Sequence, residues 1–195
     1  MRLNRSALAC SLALGALLVA IPSWAILSDM GVHSMPATPP SLPTAGSIAI
    51  DPTFGTTILR VTDGDDSTSY CINDYSNEPP LNSDNTKIRA ICQVGYKRFK
   101  VWDFNPASMT RSNGRIQGNP PAGLQEYSAQ WARTSPNKFY AVTLKAIYEI
   151  TIPDGSSTTW TNTLVHDFNG SFTGESIAQM SVSDDDDVFA FHYVS

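Results

Sequence analysis

The sequence predicts an all-β chain, read as an incomplete β-propeller of about two and a half four-stranded blades, with a β-sandwich as the alternative. Three observations carry this. Residues 126–142 (EYSAQWARTSPNKFYAV) recur without a gap as residues 175–191 (ESIAQMSVSDDDDVFAF), 49 residues on, with Glu126/Glu175, Ala129/Ala178, Gln130/Gln179 and Ala141/Ala190 coinciding. A self-match of that length marks an array of similar units. The span between the copies parses into four short strands punctuated by turn residues, the size of one propeller blade. No stretch beyond the first 47 residues has a helical pattern of any length.

In chain order, residues 56–62 (TTILRVT) alternate as a half-buried strand does, and residues 63–69 (DGDDSTS) form a turn-rich loop. Residues 75–82 lead into a stronger run, 87–94 (KIRAICQV). Gly95-Tyr96 makes a turn and 97–104 (KRFKVWDF) return as a further strand. Residues 105–123 are poor in apolar side chains, with Ile116 the one candidate anchor. The next unit is the clearest. Residues 126–132 and 138–144 flank a turn at Pro136-Asn137, residues 147–152 (IYEITI) place Tyr148, Ile150 and Ile152 on one face, Pro153-Asp154-Gly155 turns the chain, and 158–165 (TTWTNTLV) supply the fourth strand. Residues 166–174 are then a loop between units. The first unit aligns with one small gap, Tyr75-Ser76 on Tyr127-Ser128 and Ser83-Asp84-Asn85 on Ser135-Pro136-Asn137. Propellers close with about four to eight blades, so this count predicts that the chain is part of a longer protein whose third unit is cut at Ser195.

The ends and the composition bear on compartment. Arg2 and Arg5 precede an apolar run, residues 7–21, and Ser23-Trp24-Ala25 offers small residues at −3 and −1, so residues 1–25 read as a secretory signal peptide. Residues 26–47 contain Pro36, Pro39, Pro40 and Pro43 among small polar residues and read as a Pro-rich linker. The β-repeat region is residues 48–195. Removing Arg2 and Arg5 from 13 basic residues leaves 11 against 18 acidic ones, a net charge of −7. That balance, without a basic cluster, argues against nucleic acid as a partner, and no later run is long and apolar enough to suggest a membrane span after cleavage. A secreted or periplasmic product is expected. Cys71 and Cys92, the two cysteines outside the signal, are candidates for a disulfide closing a loop of about twenty residues, worth roughly 3 kcal/mol; two buried thiols are the alternative.

Asp51-Pro52, Gly55-Thr56 and Arg60-Val61-Thr62-Asp63 look like the entry segment of bacterial secreted propellers of the TolB-like and oligogalacturonate-lyase-like type, and residues 82–87 (NSDNTK) resemble that group's N-x-D-G-T-K hairpin, with Asn85 in place of glycine. The resemblance spans residues 51–195 and implies scaffold only. No stretch matches the lyases' metal-binding or catalytic residues, so no catalytic, cofactor-binding or metal-binding residue is carried over.

The residues that could carry chemistry each have a plainer role. Asp63, Asp65 and Ser67, with Asp74 at the twelfth position, have the spacing of a calcium loop, but Thr68 stands where the tight turn needs glycine. Residues 184–187 (DDDD) could hold a cation, yet fall on the hairpin turn of the repeat. His33, His166 and His192 lack zinc-ligand spacing, and His166-Asp167 as a catalytic pair competes with an exposed loop. Trp102, Trp131, Tyr148 and Trp160 could stack on sugars, but strand positions favour packing. The expected function is therefore a secreted or periplasmic scaffold binding an unknown protein or carbohydrate, with the N-terminal part of a carbohydrate-active propeller enzyme as the alternative. No cofactor is implied.

Overall fold

Twelve short strands and one 3-10 turn make up the described part of the chain. The computed structural model describes residues 41–52, 54–67, 69–73, 78–125, 129–171 and 176–194. Residues 1–40, which include the expected signal peptide, most of the expected linker and His33, lie outside these residues, as do Asp74, Tyr75-Ser76, Glu126, Tyr127-Ser128 and Glu175.

The architecture is all-β. β1 (Ile48–Ile50) pairs with β2 (Thr57–Leu59). β3 (Cys71–Ile72), β4 (Lys87–Val94), β5 (Tyr96–Asn105) and β6 (Thr110–Ile116) form a four-stranded antiparallel meander. β7 (Ala129–Trp131), β8 (Lys138–Val142), β9 (Ala146–Thr151) and β10 (Thr161–Asp167) form a second one in the same order. β11 (Ser176–Val182) and β12 (Phe189–Val194) pair as a two-stranded third sheet. The sheets do not close into a ring among the described residues.

Two strands depart from the sequence reading. Residues 105–123 contain β6, which has few apolar residues because it lies at the edge of its sheet and takes part through charge. Arg115 reaches Asp103 on β5, and Arg111 lies 5.0 Å from the Trp102 ring. His166 and Asp167, expected in a loop, belong to β10, again an exposed edge strand whose residues alternate weakly. The far end of the Pro-rich segment is also tied down. Arg60 donates from its Nη1 to the Pro43 carbonyl (2.8 Å), and the Gly46 amide donates to the Arg60 carbonyl (2.7 Å).

The sheets pack face on face, and both faces of the middle one are buried. Its first face sets Ala129, Trp131, Phe139 and Ile150 against Ile91, Phe99 and Val101 of the preceding sheet. The opposite face sets Tyr140, Val142 and Ile147 against Ile177, Met180, Phe189 and Phe191 of the next. The Phe139 ring meets Phe99, Trp131 and Trp160 edge-on at 4.7, 5.6 and 6.3 Å, the arrangement aromatic quadrupoles prefer. Arg89 enters the same interface from β4. It is 1% exposed, its Nη2 donates to the Ala129 carbonyl (2.6 Å), and its guanidinium lies 5.1–5.6 Å from the rings of Phe99, Trp131 and Phe139.

Backbone pairing corrects the 49-residue alignment. Each hairpin is closed by one amide-to-carbonyl bond: Asn82 to Lys87, Ala132 to Lys138, and Ser183 to Val188. Between the second and third units the spacing is therefore 51 residues before the turn and 50 after it, because the middle turn is one residue longer. Phe139 is equivalent to Phe189, not Val188, and Ala141 to Phe191, not Ala190. A one-residue slip turns a strand's side chains to the opposite face. The gapless alignment would put Val188 and Ala190 inside and both phenylalanines out, whereas Val188 is 63% exposed and Phe189 packs 4.9 Å from Tyr140. Identities at Ala141/Ala190 and Gln130/Gln179 arise between positions that are not structurally matched.

Two outcomes check this packing. Phe189→Ala should cost about 2 kcal/mol in urea unfolding and Val188→Ala under about 0.5; equal costs would contradict the register. Gly114 abuts Trp102, where an added Cβ would lie 2.7 Å from the indole nitrogen. Gly114→Ala should therefore lose about 1–3 kcal/mol, and Gly64→Ala, which meets nothing within 4 Å, about 0.5 or less.

Candidate functional site

Cys71 and Cys92, the one pair of candidate residues the sequence brings forward, are joined. They sit directly opposite each other on β3 and β4 with Cα atoms 4.1 Å apart and form a disulfide. Cys92 is fully buried on the face of the first sheet that looks away from the second, among Ala90, Trp102, Val61 and Val94. β3 is only two residues long, so the bridge holds a strand that two backbone pairings alone would hold weakly.

Beside the bridge lies an apolar recess, a groove of about 340 Å³. It is lined by Cys71 and Ile72 of β3, Ile88 and Ala90 of β4, Leu59 and Val61, Pro80-Leu81, Phe104 and Met109. Ile88 and Ala90 are buried and form the floor, while Ile72 is 41% exposed at the mouth. The polar groups at its edge are engaged: the Thr62 hydroxyl donates to the Cys71 carbonyl (3.3 Å) and the Asn73 amide to the Glu78 carbonyl (2.9 Å). A recess of this size and character suits a small apolar group.

Among the aspartates weighed as metal ligands, Asp63, Asp185 and Asp186 are occupied in shaping or joining turns. Asp63 caps the 3-10 turn Gly64–Asp66, accepting from the Asp65 amide, while the Asp63 amide donates to the Asp66 carboxylate (3.1 Å). Asp66 also receives Lys100 Nζ at 2.6 Å and Arg111 at 3.4 Å, so this turn clamps the two cations that flank the Trp102 ring. Burial raises the Asp66 carboxyl, and the Lys100 hydrogen bond, the Asp63 amide and the two positive charges together bring it below the ordinary value. In residues 184–187, Asp186 accepts from the Arg133 and Thr134 amides, each at 2.9 Å. Asp185 accepts from Ser183 and from the Asp187 amide. Asp186 thus binds the third hairpin to the second, while Asp185 holds the turn itself.

The aromatic residues are inside: Trp102, Trp131 and Trp160 are at most 2% exposed, and Tyr148 packs half-buried against the cluster that holds Trp131 and Trp160. His166 is exposed with its ring 4.3 Å from Phe168, and His192 is exposed on β12, so the two are not brought together with a carboxylate in a cleft. Sequence reasoning missed the groove altogether. Its walls come from Leu59, Ile72, Leu81, Ile88 and Phe104, each of which reads as ordinary core when taken alone.

A second cluster sits at the rim between the four-stranded sheets. Arg115 donates to both oxygens of Asp103 (2.6 and 3.1 Å), Asn113 adds a bond at 2.9 Å, and Lys87 lies 3.7 Å away. The Arg115 hydrogen bonds outweigh partial burial and hold the Asp103 carboxyl below its ordinary value. Tyr140 moves the other way. Burial, and then the charges of Asp186, Glu149 and Asp187, push its phenol up to about 12.

No family model, curated protein or solved structure matches the chain.

The lowered carboxyls fix a pH dependence. The folded chain binds these protons less tightly than the unfolded chain, so their stabilisation is present above the ordinary carboxyl value of 3.8 and is lost below it, as pH falls through the lower folded-state value. The thermal midpoint should fall on acidification from about pH 5 to about pH 3, and Asp103→Asn should flatten that fall while costing about 1 kcal/mol at neutral pH. An unchanged pH profile in Asp103→Asn would show that the Arg115 pair contributes nothing. Replacing both Cys71 and Cys92 with alanine should cost about 3 kcal/mol by urea unfolding.

Proposed function

We propose that the chain is an extracytoplasmic β-propeller region that serves as a binding scaffold. The observation that carries the reading is the way successive sheets are joined at their hairpins. Asn82 of the first turn donates from its side-chain amide to the Pro136 carbonyl of the second (2.9 Å), and Asp186 of the third accepts from Arg133 and Thr134 of the second. Asn85 and Asp186, equivalent after the register correction, share a left-handed backbone, with φ of 59° and 63°. Each sheet thus presents its turn to the next at the same end, and each interface buries the same pair of faces. That is the geometry expected of consecutive blades. It also favours binding over catalysis, because the charged groups close to these turns are paired, Asp186 with the neighbouring unit and Asp84, Lys87, Lys138 and Asp185 within their own.

The disulfide favours an oxidising compartment, and among the described residues no helix is long and apolar enough to cross a membrane. The basic start and apolar run of residues 1–25 add to this reading. Expression of the full chain in a bacterial host tests it. The expected product is periplasmic, begins at Ile26 by intact mass, and shows no free thiol until it is reduced. A product that keeps Met1 in the cytosol, with Cys71 and Cys92 open to thiol labelling, would contradict export.

A further inference from the structure

We propose that the groove beside the disulfide takes a flat aromatic ring carried by a small molecule. The three hairpins differ at equivalent positions. The residue that follows the hairpin-closing carbonyl is Ile88 in the first sheet, Phe139 in the second and Phe189 in the third. The residue two further on is Ala90, Ala141 and Phe191. In the second and third sheets the phenyl ring at the first of these positions fills the space between its own sheet and the one before, meeting Phe99 at 4.7 Å and Tyr140 at 4.9 Å. In the first sheet the same position holds an isoleucine, and the groove lies directly over it.

The surroundings suit a ring. Leu59, Val61 and Thr62, from the end of β2 and the residues after it, also line the recess. Trp102, cross-strand from Ile88, is taken up by Lys100, Arg111 and Gly114, and does not line the recess. Phe104, a lining residue, offers an aromatic partner of the kind that Phe99 and Trp160 give Phe139. Arg89 also lines the recess, but its guanidinium is committed to the Ala129 carbonyl and the rings of the interface with the second sheet. With Thr62 and Asn73 engaged as well, the lining offers contact area, so the ligand class is a neutral aromatic.

The proposal rests on the binding-scaffold reading, but its test does not depend on export. Purified full chain would be titrated with phenol and with cyclohexanol, a puckered ring of matching size and polarity, following backbone amides by NMR. Phenol is expected to shift the amides of Ile72, Ile88 and Ala90 with a Kd of about 1 mM, in keeping with the affinity open to so few atoms. Cyclohexanol should bind at least about fivefold more weakly, since a puckered ring loses the edge-to-face contact. Ile88→Phe, which copies the side chain of the other two hairpins, should weaken phenol binding at least about tenfold by filling the site. Ala90→Leu narrows the same groove from the neighbouring position and serves if the first variant does not fold. The proposal is overturned if those amides do not respond to phenol, if cyclohexanol binds equally well, or if the folded filling variant binds phenol as the parent does.

Discussion

Everything in this chain depends on the buried meeting of the two four-stranded sheets, with Phe139 at its centre and Arg89 beside it. A four-stranded meander of this length has too little core of its own, since each strand offers two or three inward side chains per face. Setting Phe99, Trp131, Phe139 and Trp160 edge to face removes large apolar surfaces from water at once. Arg89 is costly to desolvate, and the interface offsets that cost with the Ala129 carbonyl and three ring faces. Because Ala129 belongs to the second sheet and Arg89 to the first, the cation also sets how the sheets are aligned.

Charge works at the rims rather than in the centre. Asp66 draws Lys100 and Arg111 over Trp102, Asp103 draws Arg115 and Asn113, and Asp186 holds the third hairpin to the second. Of the acidic residues weighed as metal ligands, Asp63 and Asp185 hold their own turns and Asp186 fastens the third hairpin to the second. An acidic chain can thus remain compact because much of its negative charge meets backbone amides and nearby cations.

The sequence made the all-β architecture legible because its strands carry period-two patterns between strong turns, and residues 87–94 and 138–142 were legible almost to the residue. The two edge strands were not. β6 and β10 face water along most of their length, so their side chains follow charge pairing and not alternation. The repeat was legible but its phase was not. Coincident alanines and glutamines favoured 49 residues, whereas the burial of Phe189 and Phe191 requires 50 after the turn. Identity counts every matched letter alike, while packing weighs a phenylalanine far above an alanine. The disulfide could be named from two cysteines. The groove could not, because it exists only where Leu59, Val61 and Thr62 come together with Ile72 and Ile88, and its clue, isoleucine in place of phenylalanine, appears only once the register is right.

The central claim is that the sheets stand as one cooperative body through the Phe139–Arg89 interface. Native-state hydrogen exchange of single amides along a denaturant series measures this most directly. The amides of Ile91 and Phe99 in the first sheet and of Phe139 and Ile150 in the second should share one opening free energy, equal to that of global unfolding, and Arg89→Ala should lower all four together. If the two sheets open with different free energies, or if Arg89→Ala lowers protection in its own sheet alone, the interface does not hold the fold together.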